Sequence, residues 1–174
     1  MNAKALRAAV EALGGPLEAT FQRHQSLRQP PLAGSTRGGR WGQPRAFPVL
    51  YLGRPRESVI AEAYRHLVDP VEGMRPELVP PRLLLSVGVR LERVADLRKA
   101  AALDAVGLDA GSLAGPYEPC QRVAAAAHGA GVQAILAPSA SGLGETLAVF
   151  TDRRVGVELL DEEIWAQLPP DPRR

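Results

Sequence analysis

The chain has 174 residues, a formal net charge of +2, 45% hydrophobic residues and 23% charged residues. These values are typical of one globular domain with its own core, and the charge is too small to favour a nucleic-acid binder or a protein that docks on anionic membranes. A single cysteine, Cys120, excludes an intrachain disulfide, and no long uncharged apolar run predicts a membrane span. The N-terminus lacks the apolar region of a secretory signal, so we expect a soluble cytoplasmic protein.

The first half of the chain alternates periodic segments with clusters of glycine and proline. Its predicted elements are a helix over 3–13, a strand over 20–24, a loop over 25–46, a strand over 47–52 and a helix over 55–67. Gly14-Gly15-Pro16 ends the first helix and Asp69-Pro70 follows the second. A loop as long as 25–46 inside a small domain often carries function.

The second half is richer in strands. Its predicted elements are strands over 82–87 and 89–91, helices over 95–106 and 118–128, strands over 132–136, 147–150 and 156–160, and a last helix from Asp161 to Gln167. Strands and helices alternate irregularly, without a βαβ repeat. We therefore expect an α+β fold, a single domain with a mixed or antiparallel sheet and flanking helices.

The predicted organisation has three parts. Residues 1–19 form an N-terminal helix and connector, residues 20–168 form the main domain, and residues 169–174 form a frayed tail.

An arginine follows two glycines within the long loop, in Gly38-Gly39-Arg40-Trp41. Glycine permits positive φ and close backbone approach, and the guanidinium fork matches the oxygens of a phosphate or a carboxylate. The alternative is an ordinary exposed arginine in a flexible loop.

Tyr51 lies eleven residues after Arg40, in a predicted strand. Periodicity alone favours a core position for Tyr51, although a tyrosine at a strand end can turn its ring or hydroxyl into a cleft.

Two further polar residues stand in apolar surroundings. Glu62 lies eleven residues after Tyr51, in the middle of a predicted helix, and Ser139 follows an apolar strand. The simpler interpretation of Glu62 is a solvent-facing glutamate paired with Arg65 or His66. The simpler interpretation of Ser139 is a serine in a turn. An arginine, an aromatic ring and a carboxylate together suit a ligand with a phosphate, a flat ring and a ribose hydroxyl, which is the composition of a dinucleotide.

Other common sites are not predicted. The three histidines are far apart in the sequence, without the paired spacing of metal ligands, so we expect no metal. Cys120 lies in an alanine-rich helix, which favours a small core residue over a nucleophile. Neither a dinucleotide fingerprint nor a P-loop is present.

Four short motifs in order resemble the RES-domain family over about residues 20–151: Gly39-Arg40-Trp41, Leu50-Tyr51-Leu52, Ala61-Glu62 and Pro138-Ser139. That family is similar in fold to ADP-ribosyltransferases, acts on NAD and supplies toxins of bacterial toxin–antitoxin pairs. The chain departs from the family pattern at three points. Gly42 replaces a frequent asparagine, Glu145-Thr146 stands near another expected asparagine, and Phe21 is the nearest candidate for an aromatic residue that lines the pocket.

The resemblance implies cleavage of NAD at the nicotinamide–ribose bond, without a metal, and with phosphate, water or a protein as the acceptor of the ADP-ribose. The implied catalytic residues are Arg40, Glu62 and Ser139; the implied NAD-binding residues are Arg40, Tyr51, Phe21 and Thr146. Arg40 would hold the diphosphate or a ribose, Tyr51 would pack on the nicotinamide, and Glu62 would stabilise the cationic sugar.

The resemblance also implies a partner. This is a cognate antitoxin with an Xre-like helix-turn-helix and a toxin-binding C-terminal region. The alternative function is a nucleotide-binding or antitoxin-binding module that keeps the scaffold without the chemistry.

Overall fold

The computed structural model describes all 174 residues and contains eleven named elements and one 3-10 turn. In chain order they are α1 (Ala3–Ala12), β1 (Gly14–Ser26), β2 (Val49–Arg54), α2 (Arg56–Leu67), the 3-10 turn (Pro76–Leu78), β3 (Arg82–Asp96), α3 (Ala100–Ala105), α4 (Ala110–Ala114), α5 (Glu118–Gly129), β4 (Ala134–Pro138), β5 (Glu145–Phe150) and β6 (Gly156–Trp165).

All six strands belong to one mixed sheet in the order β1-β2-β5-β4-β3-β6, and β1 also pairs with β3. The β3–β4 pair is parallel and the other pairs are antiparallel. The long strand β3 contacts β1 and β6 over most of its length and β4 at its end, so it joins the two parts of the sheet. The predicted α+β fold with a mixed sheet and flanking helices is confirmed.

Strands β2, β5 and β4 are buried on both faces, which is why they read as apolar runs. One face packs against the helices and carries Val49, Ala148 and Ile135. We call it the helix-covered face. The opposite face carries Leu50 and Leu147. Alternation along each strand therefore decides which side chains can meet beneath the helices.

The end of the chain differs from the prediction. The predicted helix from Asp161 to Gln167 is wrong, because residues 156–165 form the single strand β6. This strand pairs with residues 82–90 of β3, with Ile164 opposite Leu83. Inter-strand hydrogen bonds satisfy the backbone there, and this tertiary pairing outweighs the helix-capping signal of Asp161.

Three other boundaries differ for the same reason. Strand β1 begins at Gly14 instead of residue 20, and the two strands predicted over 82–91 are one strand that continues to Asp96. The helix predicted over 95–106 is therefore wrong in its first residues, and α3 covers only Ala100–Ala105. Long-range pairing between β1 and β3 extends both strands beyond their local signals. The short helix α4 was not predicted.

The C-terminal residues, for which the sequence predicts a frayed tail, lie against α2. The Tyr64 hydroxyl donates to the carbonyl of Pro169 at 2.9 Å, and Arg173 forms an ion pair with Asp69 at 2.7 Å. No helix of the protein has the length and apolar character needed to cross a bilayer.

Candidate active site

Glu62 and Ser139 form a direct hydrogen bond. The Ser139 Oγ donates to Glu62 Oε1 at 2.9 Å, although the two residues are 77 positions apart in sequence. Glu62 lies in α2, which follows β2, whereas Ser139 follows the last residue of β4. The fold thus brings together two of the predicted catalytic residues, one from the middle of α2 and one from the loop that follows β4.

Two further side chains of α2 approach the same carboxylate. Arg65 Nη1 donates to Glu62 Oε1 at 2.9 Å and to Oε2 at 3.2 Å. His66 Nδ1 lies 3.9 Å from Oε2. The helical pairs that the sequence offered as an alternative to a site therefore coexist with the contact to Ser139.

A tight loop holds Ser139 in place. The Ser139 Oγ accepts a hydrogen bond from the backbone N–H of Ser141 at 3.2 Å and lies 2.8 Å from the Ser141 hydroxyl. The backbone N–H of Ser139 donates to the carbonyl of Gly144 at 3.0 Å. Gly144 has a φ of +64°, and a Cβ there would lie 2.2 Å from the carbonyl oxygen of Arg54. Only glycine fits, so the loop is packed directly onto the end of β2.

Arg40 is presented by a closed turn. The N–H of Gly39 donates to the carbonyl of Gly42 at 2.9 Å, and the Gln121 side chain donates to the carbonyl of Gly39 at 2.9 Å. Trp41 is buried beneath the turn. A Cβ on Gly39 would lie 2.8 Å from the Tyr51 hydroxyl oxygen, so the backbone can approach Tyr51 only with glycine at this position.

The Arg40 guanidinium binds the end of α4. Its Nη1 donates to the carbonyls of Ser112 at 3.1 Å and Gly115 at 3.2 Å. The Tyr117 ring stacks against it, with the ring centre 4.7 Å from Cζ. These partners are 72 and 75 residues away in sequence and were missed by the sequence reasoning, because α4 itself was not predicted.

Tyr51 lies beside the Arg40 turn. Its hydroxyl accepts a hydrogen bond from the backbone N–H of Trp41 at 2.9 Å. Burial raises the pKa of Tyr51 to about 12, more than the bond from Trp41 and the nearby Arg40 lower it. The phenol therefore stays protonated at physiological pH and keeps its own O–H as a donor.

Thr146 lies between the pair Arg40 and Tyr51 and the pair Glu62 and Ser139. It is opposite Gly53 of β2 and Ala137 of β4. Directly opposed residues share a face, so Thr146 lies on the helix-covered face, between Tyr51 on one side and Ser139 on the other. It is partly buried.

The fold does not bring Phe21 to the other predicted site residues. Its side chain is fully buried within the core of the opposite face, and the Arg54 guanidinium covers its ring at 4.5 Å. The ring has no surface free for a ligand, so the structure places Phe21 in the core instead of in a pocket.

A cavity of about 460 Å³ opens beside Ser139, between α3, α4 and the loop after β4. Leu103 and Leu113 supply apolar walls, and Arg98 and Asp104 lie among its lining residues. This volume is within the range of small-molecule sites. The chain contains no group of three or more histidine, cysteine, aspartate or glutamate side chains placed to hold a metal ion.

Residues 17–168 match the family model described as the RES domain. The chain belongs to the RES-domain family. Relatives named NAD(+) phosphorylase MbcT, from Mycobacterium bovis and Mycobacterium tuberculosis, are 30% identical over 117 residues, which is 67% of this chain and 63% of each relative. The match thus spans less than two thirds of the length of those relatives.

The fold is also found in a solved structure. The crystal structure of the M. tuberculosis MbcT–MbcA toxin–antitoxin complex contains a chain that superposes with a TM-score of 0.82 at 25% identity, covering 93% of this chain and 92% of that chain. The likeness extends over nearly the whole fold.

Proposed function

We propose that this RES-domain chain cleaves NAD at the nicotinamide–ribose bond, transfers the ADP-ribose to inorganic phosphate, and acts as the toxin of a toxin–antitoxin pair. The observation that carries the proposal is the hydrogen bond of 2.9 Å between the Glu62 carboxylate and the hydroxyl of Ser139, a residue that lines a cavity of ligand size. Membership of the RES-domain family and the similarity to relatives named NAD(+) phosphorylase support it.

The carboxylate suits the chemistry of this bond. When the bond between C1′ of the ribose and the nicotinamide nitrogen breaks, its electron pair neutralises the pyridinium, so the leaving group needs no proton. Positive charge then develops at C1′ and the ring oxygen. A fixed carboxylate next to that charge stabilises the transition state more than the ground state. In this proposal Glu62 has that role, and Ser139 orients it or binds a ribose hydroxyl.

Arg40, Tyr51 and Thr146 suit the diphosphate and the nicotinamide ring of NAD. Arg40 would bind the diphosphate, and Tyr51 would contact the nicotinamide ring with Thr146 next to it. Arg40 would first have to release the carbonyls of Ser112 and Gly115. A diphosphate oxygen carries a negative charge that a backbone carbonyl lacks, so the guanidinium would be attracted more strongly to the diphosphate than to the carbonyls it releases.

An enzyme that consumes NAD inside its own cell has to be neutralised until it is needed. The MbcT–MbcA complex is a toxin with its antitoxin, which supports a similar partner for this chain. We propose that the partner has an Xre-like helix-turn-helix and a C-terminal region that binds the toxin, and that both proteins act in the cytoplasm.

The test is incubation of the purified protein with NAD, with and without inorganic phosphate, with products separated by chromatography and identified by mass. The expected products are nicotinamide and ADP-ribose-1″-phosphate. Free ADP-ribose would instead identify water as the acceptor, and a mass-shifted protein would identify a protein acceptor.

The alternative of a binding module has one observation in its favour, which is the occupation of Arg40 by α4 carbonyls. A folded protein whose thermal unfolding midpoint rises with NAD, but which releases no nicotinamide, would establish that alternative and overturn the enzyme proposal.

A further inference from the structure

We propose that Arg65 and His66 form the binding site of the acceptor phosphate, on the solvent side of Glu62. This inference rests on the proposed function and adds to it the group that selects inorganic phosphate as the acceptor. Neither residue belongs to the motifs by which the chain resembles its family.

The four side chains form a path from the interior to solvent. Ser139 is 5% exposed, and the side chains of Glu62, Arg65 and His66 are 22%, 29% and 61% exposed. Ser139 contacts Oε1 of Glu62, whereas His66 approaches Oε2. A ribose beside Ser139 and an anion beside His66 would therefore approach different oxygens of the carboxylate, with Arg65 bonded to both.

Arg65 keeps free hydrogen-bond donors. Only its Nη1 bonds to Glu62, and neither its Nε nor its Nη2 bonds to another protein group. An arginine fork can bind two phosphate oxygens at once. The same guanidinium also offsets the repulsion between Glu62 and an approaching phosphate dianion, which a bare carboxylate would oppose.

Three other arginines are already engaged. Arg98, which lines the cavity, binds Asp96 at 2.7 Å and Glu145 at 3.2 Å, and Arg54 pairs with Glu145. Arg40 is assigned to the diphosphate of NAD in the proposed function. Arg65 and His66 combine contact with Glu62 and access from solvent, and Arg65 also keeps unused donors.

The proposed step is balanced without a further reactant. An oxygen of the hydrogen phosphate dianion gives an electron pair to C1′, and the bond from C1′ to the nicotinamide nitrogen breaks with its electron pair left on that nitrogen. The products are neutral nicotinamide and ADP-ribose-1″-phosphate, which keeps the phosphate's proton. Nothing is oxidised or reduced.

The test measures initial rates of nicotinamide release against phosphate concentration for the wild type, Arg65→Met, His66→Gln and the double variant. We expect the KM for phosphate to rise about 10–100-fold in the double variant, as for the loss of one or two charge-assisted hydrogen bonds. The KM for NAD should change less than about threefold, since the proposed contacts to NAD lie on the Ser139 side of Glu62. Arg65→Lys should recover part of the phosphate affinity, because it restores the charge but not the fork.

Arg7→Met is the matched control, since Arg7 also pairs with a glutamate on its own helix, at 3.4 Å from Glu11 in α1. It should leave every constant unchanged. His66→Gln keeps the test valid if Arg65→Met fails to fold, because His66 is the more exposed side chain.

Three results would overturn the inference, and they are distinguishable. An unchanged KM for phosphate, with a lower rate at every phosphate concentration, would mean that Arg65 only orients Glu62. Release that is independent of phosphate in the wild type would remove phosphate as the acceptor but leave NAD cleavage intact. No release by the wild type would overturn the proposed function itself.

Discussion

The two halves of the candidate site are held in different ways. In the Glu62 half, which is Glu62 with Ser139, side chains from α2 and the loop after β4 contact each other directly at 2.9 Å. In the Arg40 half, which is Arg40 with Tyr51, the guanidinium is occupied by the carbonyls at the end of α4. We infer that the half that would carry the chemistry is already assembled, whereas the half that would bind the dinucleotide has to exchange protein contacts for ligand contacts.

The short helix α4 is well suited to such an exchange. It has five residues, and its ends are marked by a capping box between Asp109 and Ser112 and by Gly115. Leu113 is its one buried side chain in the core. Elements with little buried apolar area open at low free-energy cost.

The largest expected effect separates the two halves through binding. Arg40→Met should raise the KM for NAD by roughly 30–100-fold, because a charged hydrogen-bond partner of the diphosphate is lost. The value of kcat should change little, since the Glu62 half is intact. Arg37→Met, an exposed arginine of the same loop, is the control for charge in steady-state assays. A fall in kcat with an unchanged KM would mean that Arg40 acts in the chemical step, so that the two halves would not differ in function.

The reverse pattern is expected for Ser139→Ala. Removing the hydroxyl leaves Glu62 Oε1 without one of its donors, and we expect kcat to fall by about 10–30-fold with a nearly unchanged KM for NAD. Ser26→Ala is the control, since the Ser26 side chain makes no hydrogen bond in β1. An increase in KM alone would show that Ser139 serves in ground-state binding instead of in the chemistry.

A smaller effect should distinguish the two halves by stability. Tyr51→Phe removes the acceptor of the Trp41 N–H, and the loss of that bond should lower the free energy of unfolding by about 1 kcal/mol. The Arg40 turn would loosen, so we expect a several-fold higher KM for NAD at constant kcat. Denaturant unfolding and kinetics on the same samples would check both. An unchanged stability would mean that the hydroxyl does not hold the turn.

The smallest effects concern Phe21 and Thr146, the two remaining members of the predicted site. Phe21→Leu should cost about 1 kcal/mol of unfolding free energy, because it removes buried volume, and it should leave NAD kinetics unchanged. Thr146→Val should leave stability almost unchanged and raise the KM for NAD a few-fold, through the loss of one hydroxyl at the centre of the site. A higher KM for NAD in Phe21→Leu would place Phe21 in the NAD site. An unchanged KM in Thr146→Val would exclude Thr146 from it.

Local sequence signals predicted most of the elements that build the site. The Gly-Gly-Arg-Trp turn, the apolar run around Tyr51 and the helix of Glu62 each lie within a dozen residues, so periodicity and turn chemistry suffice to place them. Local signals do not predict the contacts between these elements. The Glu62–Ser139 bond spans 77 residues, and only the pairing of β2, β5 and β4 brings its partners together.

The failures have the same origin. Residues 161–167 carry a capping aspartate and two glutamates, which are typical of a helix start, but the pairing with β3 makes residues 161–165 part of a strand. The occupation of Arg40 could not be predicted either, because α4 contains Gly111 and is too short to show helical periodicity. Long-range pairing and short helices leave little local trace.

Comparing Glu62→Gln with the wild type in calorimetric NAD titration and in nicotinamide release would separate the chemistry assigned to Glu62 from the binding assigned to Arg40. Glutamine keeps the shape and loses the charge, so we expect NAD to bind with nearly wild-type affinity while release falls at least about 100-fold. Undiminished release by Glu62→Gln, with the fold retained, would contradict that assignment.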